Sequence, residues 1–134
     1  MTGRPKAARA FVVLAWLAVA GVAVQVYLAG YALLADPAAW AWHRGFVHAV
    51  ELVPIAMVLI AWLGKGPLFL LWLSLALFGL IWLQYVLINV PVGVVQALHP
   101  VNALAIVVVA FLAARAGTGR WLRGEGVLDR PGRA

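Results

Sequence analysis

Few side chains in this sequence can do chemistry. With no cysteine among its 134 residues, disulfides, thiolate metal sites and iron–sulfur clusters are excluded. The strong ligands and titrating groups are His43, His48, His99, Asp36, Glu51, Glu125 and Asp129. Three imidazoles can ligate a metal or move a proton, and a carboxyl close to them can relay that proton. Which of these chemistries is available depends on the elements that carry the side chains and on the solvent around those elements.

That solvent is lipid. Hydrophobic residues make up 66% of the chain and charged residues only 10%, more apolar surface than a core of this size can hide from water. Four apolar stretches can be read, 11–35, 37–63, 68–88 and 94–114. At ~1.5 Å per residue, each is near or above the ~20 residues that cross a hydrocarbon layer about 30 Å thick. Turn chemistry separates them at Ala35-Asp36-Pro37, Gly64-Lys65-Gly66-Pro67 and Asn89-Val90-Pro91-Val92-Gly93, with Asp36 as an N-cap and Pro37 at the first helical position. Connections this short force neighbouring helices antiparallel. The expected fold is therefore all-α, an integral-membrane up-down four-helix bundle over residues 11–116. A basic segment, 1–10, precedes it, and a Gly- and Arg-rich tail, 117–134, is expected to lack structure.

The charges are asymmetric. Arg4, Lys6 and Arg9 precede the first stretch, Lys65 follows the second, and Arg115, Arg120, Arg123, Arg130 and Arg133 follow the fourth. By the positive-inside rule both termini are expected on the cytoplasmic side of a bacterial cell membrane. The formal net charge of +6 is then a matter of topology and anionic head groups, and nucleic acid is not an expected partner. The first stretch is expected to be a retained helix rather than a cleaved leader, because it is long and lacks a small-residue cleavage pattern.

Polar residues inside lipid-soluble helices are costly and therefore informative. Gln25, His43, Arg44, His48, Glu51, Gln84, Gln96, His99 and Asn102 gather in the half of the bundle away from the basic residues, while Ser74 stands apart and needs only a bond to its own helix. Amides alone would read as interhelical glue worth ~0.6 kcal/mol per contact. Three histidines, an arginine and a glutamate exceed what glue requires. Tyr31, Trp40, Trp42, Trp82 and Tyr85 near the same end fit an aromatic belt.

In an up-down bundle the second and fourth helices are diagonal partners, with axes roughly 12–14 Å apart. Two imidazoles cannot share one small ion across that gap, but they can clamp the two faces of a haem. Small residues, Gly21, Ala29, Gly30, Gly45, Ala49, Gly79 and Ala103, offer room.

Gln25-Val-Tyr-Leu-Ala-Gly30, His43-Arg44, Gln84-Tyr-Val-Leu and Leu98-His99-Pro-Val-Asn-Ala103 together resemble one four-helix half of the haem A synthase family. They are also similar to a small uncharacterised bacterial family of four-helix membrane proteins with His-Arg and His-Pro-Val-Asn-Ala motifs. The resemblance covers about residues 10–116. It implies that His43 and His99 are axial ligands of haem b, with Arg44 beside a propionate and the amides Gln25 and Asn102 at the same site. Haem A synthesis is not implied: Trp40 stands where that family has a catalytic glutamate, and its outer cysteine pair is missing.

Depth along straight helices favours a different ligand on the second helix, since His48 sits level with His99 and His43 about 9 Å higher. His43 and His48 point ~140° apart and cannot share one inward direction, so His48 stands as the substitute for His43. Glu51 has two readings: a hydrogen-bonded side chain facing Gln25 or Asn102, or a proton relay or quinone-site acid.

The expected function is a small b-type cytochrome passing electrons between quinol and a membrane redox partner. The alternatives are a cofactor-free accessory or assembly subunit of a larger complex and, last, a proton-coupled transporter. The sequence leaves the oligomeric state open, a homo-oligomer included.

Overall fold

A computed structural model describes residues 4–123. It contains helices α1 (Arg4–Leu34), α2 (Trp40–Leu63), α3 (Leu68–Asn89), α4 (Gly93–Gln96) and α5 (Leu98–Ala116), and no strand among the described residues. Among the described residues four segments are long and apolar enough to cross a membrane: Pro5–Leu34, Pro37–Leu63, Leu68–Asn89 and Gly93–Leu122. The protein is an all-α membrane four-helix bundle, and its outer surface is apolar, with Leu33, Leu34, Trp42 and Val94 each more than two-thirds exposed. Such a surface contacts the bilayer.

Local chemistry sets the breaks. Asp36 accepts a hydrogen bond from the Ala38 N–H at 2.9 Å and caps a single 3-10 turn, Pro37–Ala39, that leads into α2. At the other end of α2, the Gly66 N–H reaches the Ala61 carbonyl at 2.8 Å and the Lys65 N–H reaches that of Trp62 at 3.2 Å, a Schellman closure. Its left-handed position is held by Lys65, φ 50°, rather than by a glycine. Ser74 bonds back to the Leu70 carbonyl at 2.8 Å, as its isolation suggested.

Three boundaries differ from expectation. α1 begins at Arg4, earlier than 11, because the basic segment continues the helical winding. The fourth stretch, expected as one helix over 94–114, is interrupted at Ala97. Pro100 sits in the first turn of α5, where a missing N–H has no intrahelical partner to lose. Finally, Gly117–Leu122 forms a π-helical turn rather than an unstructured tail. Trp121 anchors this turn, its ring 5.5 Å from that of Phe11 and within 3.1 Å of where a Cβ on Gly64 or Gly66 would lie. Glu125, Asp129 and the rest of the expected tail lie outside the described residues.

α1 packs against α2 and α5, and α3 packs against the same two helices, so α2 and α5 face each other across the diagonal. The core is a column of Phe11, Ala15, Ala18, Met57, Leu70, Leu77, Ile106 and Ala110. It fills the end of the bundle that carries Lys65 and the π-helical turn. The opposite half is less tightly filled and holds the polar residues.

Candidate functional site

Toward that end the four helices line a half-open cavity of about 410 Å³, whose mouth carries the exposed Val26, Val101 and Leu104. Its wall includes Gln25 and Val22 of α1, His43, Val47 and Val50 of α2, Ile81 and Gln84 of α3, and His99, Ala103 and Val107 of α5. His43 and His99 thus meet the same space from diagonal helices. The lining runs from His43 to Val50 on α2 and from His99 to Val107 on α5, roughly 10 and 12 Å of helix. A space this tall spans both histidine levels, so the height difference between straight helices does not separate the two rings. Of the small residues read as making room, Ala29 and Ala103 line the cavity, Gly21 instead packs closely against Val50, and Gly30, Gly45 and Gly79 have no neighbour within 4 Å of a Cβ position.

Each histidine is fixed in the same way. His43 Nδ1 lies 3.0 Å from the main-chain carbonyl oxygen of Gln25, and His99 Nδ1 lies 3.3 Å from that of Gln84. A carbonyl can only accept, so Nδ1 carries the proton and donates while Nε2 keeps its lone pair. This is the tautomer and the anchoring of a metal-ligating imidazole. Trp40 meets the His43 ring edge to face at 5.4 Å and limits its rotation further. The two hairpins therefore repeat one device, a glutamine carbonyl on the first helix holding a histidine on the second, 18 residues on in one case and 15 in the other. The two separations differ by three residues, so no fixed sequence period marks the device.

The side-chain Oε1 atoms of Gln25 and Gln84 are buried without a hydrogen-bond partner. Both residues belong to the cavity wall, and an orphaned buried acceptor marks a place where a bound group completes the site. Nothing else on the wall is strongly polar. Among the described residues no group of three or more His, Cys, Asp or Glu could hold a metal ion. A volume of about 410 Å³ falls within the ~300–1,000 Å³ of small-molecule sites.

The other expected site residues lie elsewhere. Arg44 is exposed and outside the cavity wall. Asn102 is buried, and its Nδ2 donates to the Leu80 carbonyl at 2.8 Å, clamping α5 to α3. His48 is outside the cavity too, its side chain 68% exposed, with Nδ1 3.1 Å from Glu51 Oε1. Glu51 does not face Gln25 or Asn102. Its second oxygen instead accepts a hydrogen bond from the Tyr85 hydroxyl at 2.8 Å. Tyr85, read from the sequence only as part of an aromatic belt, is thus a polar partner, and no pattern within α3 signals it because the residue it serves is on α2.

Residues 25–90 match the model of a family of unknown function, DUF6220. The matched segment carries Gln25, His43, His48, Glu51, Gln84 and Tyr85 and ends before His99. No curated protein and no solved structure is significantly similar to the chain.

Proposed function

We propose that the protein is a small b-type cytochrome of the bacterial cell membrane that holds one haem between α2 and α5 and transfers electrons with a membrane redox partner. One observation carries this reading: His43 and His99 reach a common apolar cavity from diagonal helices, each with Nδ1 tied to a main-chain carbonyl and Nε2 free as a ligand. The likeness of the His43-Arg44 and Leu98-His99 segments to one half of the haem A synthases supports the same pair. His43 and His99 would hold the haem, which when bound would supply a one-electron iron couple.

The protein's own residues do the rest. The Gln25 and Gln84 carbonyls orient the two rings and raise their basicity. Val22, Val47, Val50, Ile81 and Val107 give the cavity an apolar wall, and a low-dielectric wall of this kind sets how strongly nearby charge acts on a bound group. The positive-inside rule, applied to the basic residues at the Lys65 end, supports cytoplasmic termini and a cavity nearer the outer face.

The test is a reduced-minus-oxidised spectrum of protein purified from cells supplied with haem. Sharp low-spin bands are expected at one haem per chain. A colourless protein removes the cytochrome reading and leaves the cofactor-free accessory subunit.

A further inference from the structure

The His48, Glu51 and Tyr85 constellation takes no part in the cavity, although the Tyr85 ring also packs against the edge of the core. It lies on the α2–α3 side of the bundle, away from the histidine pair, and it faces outward. Glu51 is 11 residues from the first residue of α2 and 12 from its last, Trp40 and Leu63, so ~17–18 Å of helix separates it from either end. In a hydrocarbon layer about 30 Å thick, lipid head groups do not reach that depth. Acyl chains offer no hydrogen bond to the second imidazole nitrogen of His48 or to the remaining lone pairs of Glu51. Leaving such groups unpaired in hydrocarbon is costly.

A ligand that satisfies them must dissolve in the bilayer core, carry hydroxyl groups, and lie flat against aromatic rings. The His48 and Tyr85 rings are nearly parallel, 17° apart with centroids 6.5 Å from each other, and Trp82, 57% exposed, adjoins Tyr85 at 6.1 Å. From this we infer that His48, Glu51 and Tyr85, with Trp82 beside them, bind the head group of a membrane-dissolved hydroquinone, a ligand hydroxyl donating to the Glu51 carboxyl. The site names a chemical class for the redox partner proposed above. It stands whether or not haem binds, because no cavity residue takes part.

The probe is a decyl-substituted 1,4-benzoquinol, titrated into full-length protein in lipid nanodiscs and read through the indole N–H resonances of ¹⁵N-labelled tryptophan. A saturable shift at Trp82, assigned by its loss in Trp82→Phe, is expected. The 1,4-dimethoxy analogue has the same ring and tail but no hydroxyl donors, and should bind about tenfold or more weakly. Glu51→Gln and Tyr85→Phe, both near-isosteric, should weaken quinol binding by a similar factor. The proposal is overturned if the wild-type protein gives no saturable shift, if the dimethoxy analogue binds as well as the quinol, or if both near-isosteric variants bind normally. It is equally overturned if Trp82 is covered by a second copy of the chain that Glu51→Gln releases, which would assign the triad to an oligomer interface.

Discussion

His43 is held by the backbone of Gln25 and not by its side chain: the imidazole Nδ1 is 3.0 Å from the Gln25 carbonyl oxygen, while the Gln25 amide oxygen is buried with no partner. Side-chain substitution at position 25 therefore separates ligand orientation from cavity polarity. Gln25→Leu is expected to keep the low-spin spectrum. It should also raise the thermal midpoint of haem-free protein, since an unpaired buried polar group costs about 1–3 kcal/mol. Absorption spectra and thermal melts of the same preparation check both outcomes.

The three histidines divide into two that share the cavity and one that does not. Single alanine variants at His43 and His99 are expected to abolish six-coordinate low-spin ligation, whereas His48→Ala retains it at wild-type haem content. A pyridine haemochrome assay together with the reduced spectrum measures this. Loss of ligation in His48→Ala with retention in His43→Ala would reverse the assignment.

Asn102 has a packing role that a spectrum does not read directly. Its amide nitrogen bonds to the Leu80 carbonyl across the α3–α5 contact at 2.8 Å, and the side chain is buried. Asn102→Leu should destabilise the bundle by about 0.6–2 kcal/mol, the range for interhelical hydrogen bonds in membranes. Steric or equilibrium unfolding in mixed micelles gives the number, with the histidine ligation intact.

At the opposite end of the bundle, Trp121 closes the π-helical turn onto the α2–α3 connection. A Cβ on Gly66 would lie 2.8 Å from Cη2 of Trp121. Gly66→Ala must therefore displace the indole and uncover Phe11, and a loss of about 1–3 kcal/mol is expected from overpacking. Trp121→Ala should destabilise by a comparable or larger amount. In the double variant the two losses should fall short of additivity, since each disturbs the same contact. Denaturation of the four proteins in one detergent completes the cycle.

The orientation rests on charge alone and is open to a direct experiment. Because the basic residues cluster where Ala7, Gly64 and Trp121 meet, a fluorescent-protein fusion after Ala134 is expected to fluoresce and a phosphatase fusion at the same place to be inactive. The reverse pattern would invert the bundle and move the cavity to the cytoplasmic half.

Much of this protein was determined by its sequence without reference to any contact. Apolar run length fixes four spans, and Asp36-Pro37 and Gly64-Lys65-Gly66 fix two of the breaks, because hydrocarbon thickness and capping chemistry act on consecutive residues. The short connections fix the diagonal relation of α2 and α5. Tertiary structure alone decides what the polar residues face. Five residues of helix separate His43 from His48, and whether either ring meets His99 depends on the height of the cavity and on the Gln25 and Gln84 carbonyls, which belong to other helices. Glu51 could have turned to several neighbours; a Tyr85 hydroxyl from α3 takes it outward. The Gly117–Leu122 turn is fixed in the same way, by an indole whose partner, Phe11, begins the core at the far end of the sequence. A sequence determines what each helix can bury, but a hydrogen bond between helices exists only once both have been set side by side.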